Sequence, residues 1–172
     1  MNTDPLLSPL PAEEWAESIQ HIAQRLGEPL NIHKLIAHNP QLMEAYTPLR
    51  YHVVRDSALT GRQREILILR VAYQIQSDYE WSHHVVRGQA AGLLIDEIER
   101  VRLGSGAAGW SADEGHIIDM VDQMLARQEL TTATAAGLLQ TVGKEGMLDA
   151  VFTVAVYLAL GSLLKTFEVP ID

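Results

Sequence analysis

Residues 65–92 read EILILRVAYQIQSDYEWSHHVVRGQAAG, and the folding of this stretch decides the rest of the chain. It opens on a nearly continuous apolar run from Ile66 to Tyr73, interrupted only by Arg70. A helix that is apolar nearly all the way round is one the protein buries. Yet the run begins at the carboxylate of Glu65 and leads into Tyr79, Glu80, Trp81, Ser82, His83 and His84. Ser77 or Asp78 marks the boundary between two helices, because both residue types favour the N-cap. Side chains three or four positions apart share a helix face, so Glu80 reaches His83 or His84, while Glu65 lies with Leu69 and Ala72 and points inward. Acidic groups and an imidazole gathered in apolar surroundings titrate away from their ordinary range, which is the make-up of a proton-transfer site. A plainer role stands beside this one. Ser77-Asp78-Tyr79-Glu80 also fits a capping box, in which Glu80 only reaches back to the backbone N–H of Ser77, and a histidine pair also suits an interior or an interface.

Upstream of this core, Pro5, Pro9 and Pro11 predict an extended arm over residues 1–11, either packed on a neighbouring subunit or a partly ordered terminus. Trp15, Ile19, Ile22, Ala23 and Leu26 predict an amphipathic helix from Ala12 to Leu26, stopped by Gly27. A short helix over Ile32 to His38 ends at Asn39-Pro40, and a longer one covers Gln41 to Asp56, with Tyr51 and His52 placed late enough to line a pocket. Thr60 and Gln63 form a capping box that opens the central helix. Downstream, helices are expected over Ile95 to Leu103, Ala112 to Arg127, 132–142 and Gly146 to Lys165, with Gly143 breaking the last two apart. Strand signals are weak throughout, so the chain is read as all-α.

Composition narrows the function classes. At 172 residues the simplest organisation is one domain with a substantial core. A net charge of −9, from 13 basic and 22 acidic residues, makes nucleic acid and anionic membrane surfaces poor partners. The apolar run Ala150 to Leu164 is shorter than the roughly 20 residues a membrane span needs, so a buried helix or a subunit interface is the better reading. Met1-Asn2-Thr3-Asp4-Pro5 has neither a basic start nor a long apolar segment, and a cytoplasmic location is the default expectation. The GSGAAG at 104–109 lacks the preceding strand and the following Lys-Ser/Thr of a phosphate loop.

The block Tyr79-Glu80-Trp81-Ser82-His83-His84, with Arg64-Glu65 upstream and Ala91-Gly92-Leu93 then Asp96-Glu97-Ile98 downstream, resembles the carboxymuconolactone decarboxylase family, which includes the alkylhydroperoxidase-D-type peroxidases. The similarity extends over about Asn39 to Val169, and implies an oligomeric, all-α helical bundle of the alkylhydroperoxidase-D-like type. The peroxidase branch carries a Cys-x-x-Cys pair, with a glutamate twelve residues before the first cysteine and a histidine four after the second. Glu65 and His84 occupy those two positions, while Ser77 and Glu80 stand where the cysteines would be. The chain contains no cysteine, and thiol-dependent peroxide reduction needs a thiolate, so that activity is excluded.

The resemblance therefore implies the cysteine-free branch: a decarboxylase acting on a small carboxylated lactone or oxo-acid, with no metal or organic cofactor. In that reading Glu65, Glu80 and His84 are catalytic, and Tyr79, His83, Ser77 and Trp81 bind substrate. Two alternatives stay open. Glu80-x-x-His83 with His84 has the form used by helical di-iron sites, although no second copy of that motif occurs. The chain is otherwise a non-catalytic oligomer that binds a small hydrophobic acid. The apolar stripes of the central and last helices exceed the needs of one small domain and suggest a homo-oligomer.

Overall fold

The computed structural model describes residues 6–172. They form eight α-helices joined by short turns, and no strand occurs among them, in agreement with the all-α reading. They gather in two compact units, one of residues up to Asp56 together with Ser162–Asp172, the other of Ser57–Gly161.

The first unit begins with residues 6–11, the part of the expected arm that lies among the described residues; 1–5 fall outside them. Its backbone runs along its own chain, Leu10 N–H donating to Lys34 O at 3.1 Å. The helix expected from Ala12 forms only at α1, Gln20–Leu26, after two 3-10 turns at Ala12–Glu14 and Glu17–Ile19. Trp15 is the reason. It is 3% exposed, extended in backbone, and its indole N–H donates to Leu10 O, so burying the ring takes precedence over continuing the helix. The Gln20 amide then donates to Ala12 O and Trp15 O and ties the two turns together. Gly27, at φ 76, ends α1 as expected. The short helix α2, Asn31–Ile36, precedes α3, Pro40–Tyr51, which Asn39 caps. Pro48 lies inside α3, where it can donate no helical N–H, and the stretch His52–Asp56 widens into a π turn. Tyr51 faces Arg25, Arg50 and Arg55, all within 6 Å of its ring centroid.

The second unit is built on α4, Gly61–Gln74. Thr60 and Gln63 cap it reciprocally, as the sequence predicts. Every residue from Glu65 to Ala72 is buried. Helices α5 (Asp78–Ala90), α6 (Ile95–Val101) and α7 (Ala112–Arg127) pack against it, with Ile98, Val101, Ile117, Ile118, Met120 and Val121 completing the core. Arg70, the one polar interruption of the apolar run, is fully paired. It grips Asp122 of α7 through two N–H···O bonds of 2.7 and 2.8 Å and donates to Val101 O and Arg102 O. Gly88 lets α5 lie close to its neighbours, since a Cβ there would sit 3.1 Å from Leu93 and 3.4 Å from Leu69. The last helix, α8 (Thr132–Thr166), breaks at Gly143 (φ 70, ψ −175), the expected position.

Candidate active site

Helix α4 carries Glu65 and α5 carries Glu80 and His84, and the tight turn between the helices sets these side chains against one another. Gln76, at φ 55, closes the end of α4, and Ser77 N–H donates to Ala72 O at 2.9 Å. The Ser77 hydroxyl then accepts from Glu80 N–H at 3.4 Å, which caps α5. Because Ser77 N–H is already bonded to Ala72, the Glu80 carboxyl is not drawn back into a capping box. It faces inward, Oε2 lying 3.5 Å from His84 Nε2. On the other side of the ring, His84 Nδ1 lies 2.6 Å from Glu65 Oε2. Arg64 approaches the second Glu65 oxygen at 3.5 Å. Glu65, Glu80 and His84 are 3%, 5% and 1% exposed, so all three predicted catalytic side chains meet out of water.

The protonation pattern follows from one neighbour that the sequence reading passed over. Arg87, one turn beyond His84, places Nη1 at 3.2 Å from His84 Nε2. A guanidinium only donates, so Nε2 has to accept and the ring proton belongs on Nδ1, where it is donated to Glu65. Burial holds His84 below its usual imidazole range, against the raising effect of Glu65, with Arg87 and His83 adding to the lowering. Burial likewise pushes the Glu80 carboxyl up to about 7, with the Arg87 charge pulling the other way. The result is a neutral imidazole with a buried lone pair beside a carboxyl that changes protonation near neutrality. The ring is held in place by the edge of Tyr157 from α8, centroids 5.1 Å apart.

The four residues expected to bind substrate fall into three places. His83 and Tyr79 stack on each other at 4.7 Å, one turn from the cluster, and His83 acts on His84 through its field. Ser77 spends its hydroxyl on the cap. Trp81 is half-buried, with the Arg102 guanidinium 4.2 Å over its ring, beside a cleft of about 360 Å³ lined also by Tyr73, Gln76, Ser77 and Asp78. Among the described residues no three His, Asp or Glu side chains assemble as a metal ion requires, so the reading of Glu80, His83 and His84 as ligands has no geometric support.

Residues 40–123 match the model of the Carboxymuconolactone decarboxylase family. That segment of the chain is of this family. The match contains both site helices, and with no cysteine in the chain the peroxidase thiols of the family are missing from it. The carboxymuconolactone decarboxylase-like fold recurs in solved structures. A peroxidase-related protein from Silicibacter sp. TM1040 superposes with a TM-score of 0.78 at 15% identity, covering 100% of this chain and 95% of that one. A second, an alkylhydroperoxidase AhpD core protein from Ralstonia eutropha JMP134, gives 0.78 at 16% identity, over 96% and 93% of the two chains. The debrominase Bmp8, solved as a cysteine-to-alanine variant with 2,3,4-tribromopyrrole, gives 0.76 at 14% identity, over 99% and 93%. At these identities the likeness is one of fold. No curated protein gives a significant sequence match.

Proposed function

We propose that the chain catalyses cofactor-free decarboxylation, or a related proton transfer, on a small carboxylated lactone or oxo-acid, with Glu65, His84 and Glu80 as the catalytic groups. The observation that supports this reading is the placement of a neutral imidazole between a carboxylate at 2.6 Å and a carboxyl raised to about 7. Loss of CO2 from such a substrate breaks a C–C bond and leaves its electron pair on the carbonyl as an enolate. A buried, protonated Glu80 donates to that oxygen as its charge grows, where low polarity makes the donation most effective. The same proton then reaches carbon through the His84 lone pair, and Glu80 regains a proton from water. Glu65 holds the ring orientation and stabilises imidazolium when it forms. Ionised Glu80 or doubly protonated His84 cannot fill these roles.

The test is a screen of γ-lactone acids and β-oxo acids for CO2 release. Glu80→Gln, Glu65→Gln and His84→Ala are each expected to lower turnover by about 10²-fold or more. Full activity in all three variants would sink the assignment, and saturable binding without turnover would turn the reading towards a binding protein.

We also infer that the chain self-associates. Leu148, Phe152, Ala155 and Ala159 of α8 are exposed at alternating spacings of four and three residues, an apolar seam of the kind two helices share. Large side chains occupy one end of the seam and small ones the other, so a second copy laid antiparallel meets its complement.

A further inference from the structure

Arg87 is the cation beside His84 Nε2, and it acts on the buried Glu80 carboxyl through its field without closing to an ion pair with it. Among the described residues no carboxylate lies within ion-pair distance of its guanidinium; its one hydrogen bond goes to the uncharged Nε2 of His84. The other arginines buried or half-buried around α4 are differently placed. Arg62 holds Glu97 and Glu114, Arg64 approaches Glu65, and Arg70 holds Asp122. A half-buried guanidinium set against a neutral imidazole keeps four N–H donors in a planar fork, the shape that a carboxylate fits with two parallel bonds.

We propose that Arg87 anchors a carboxylate of the ligand beside His84 Nε2. This rests on the reading of Glu65, His84 and Glu80 as the reacting groups, and adds to it the residue that brings an acid to them. The charged and titratable groups packed around His84 are Glu65 and Arg64 from α4, Glu80, His83 and Arg87 from α5, and Tyr157 from α8. Of the acids, Glu80 is the one facing Nε2, and in its protonated form it does not repel an incoming anion. A cation gripping the carboxylate that departs as CO2 would stabilise the ground state more than the transition state, so the carboxylate held by Arg87 is one that keeps its charge.

The experiment is a titration of the full-length, 15N-labelled protein near pH 7, read on the imidazole nitrogens of His84, assigned by their loss in His84→Gln. The free protein is expected to show a proton on Nδ1 and a bare Nε2. Sodium acetate is expected to shift the Nε2 signal saturably, with acetamide and matched sodium chloride leaving it in place. Half-saturation moves up about tenfold or more in Arg87→Lys, which keeps the charge but loses the fork, and the response disappears in Arg87→Gln and Arg87→Met. An unchanged acetate response in both uncharged variants, or an equal response to acetamide, overturns the proposal. A tighter response to inorganic phosphate than to acetate overturns the carboxylate assignment. Turnover does not enter the readout, so Arg87-dependent acetate binding in a protein inactive on every oxo-acid tried would leave this inference standing and remove the proposed reaction.

Discussion

Glu80 carries a stability cost that its site needs. Its carboxyl titrates at about 7 in the folded chain against 4.5 as the ordinary value, so the folded state binds the extra proton between those limits. Stability contributed by this group is therefore present below pH 4.5, declines as pH rises towards 7, and is flat above; the total is about 3 kcal/mol. His84, held low by burial, slopes the opposite way below its ordinary 6.5, so the comparison has to be made against a variant. Glu80→Gln is expected to be the more stable protein above pH 7 and to lack the decline, measured as urea midpoints from pH 4 to 8; equal midpoints at every pH would contradict it. Activity follows the same two groups, rising with pH as His84 loses its second proton and falling above about 7 as Glu80 ionises. The Glu65, Glu80 and His84 convergence was legible because helical spacing fixes which side chains share a face. Arg87 was not singled out, since its role depends on which ring nitrogen it meets, and no spacing rule gives that. The choice between capping and inward roles for Glu80 also turned on a single backbone bond, from Ser77 to Ala72.

Among the elements, α4 and its contacts carry most of the second unit. Asp122→Ala strands Arg70 as a buried, unbalanced charge and is expected to cost about 3 kcal/mol in chemical unfolding, more than Arg70→Met with Asp122→Ala together. Equal losses in the single and double variants would show that the pair contributes nothing through its charge. The α4–α5 turn is held as tightly. A Cβ at Gly161 would run into Ile75 Cδ1, the free end of a side chain that can turn aside, so Gly161→Ala is expected to lose about 1 kcal/mol, largely restored by Ile75→Val, which removes that methyl. A Gly161→Ala protein melting with the parent would rule out that close approach. Helix starts at Thr60 and Ser77 were readable because capping is local chemistry. The stretch Ala12 to Ile19 was misread as helix because its apolar spacing is helical, while Trp15 gains more from being buried with its N–H bonded to Leu10 than from a continuous turn.

At the scale of the whole molecule the unresolved demand comes from α8. By length and composition it is apolar enough to cross a membrane, yet only 39% of its most apolar window is buried within the chain. Leu148 and Phe152 are 64% and 57% exposed. Phe152→Glu is expected to lower the mass found by sedimentation while leaving helix content unchanged. Binding of the parent monomer to lipid vesicles, with no self-association at any concentration, would contradict the second-copy reading. All-α class and family were readable from one block of sequence; the assembly was not, because a stripe of apolar residues does not say what covers it. The central claim, that a carboxyl, an imidazole and a carboxylate share a dry site poised near neutrality, is tested most directly by infrared difference spectroscopy of the carboxyl C=O band between pH 4 and 9. A buried-carboxyl band that vanishes with a midpoint near 7, and is missing in Glu80→Gln, is the expected result. A Glu80 that has lost its proton by pH 5, as an exposed glutamate does, would contradict it.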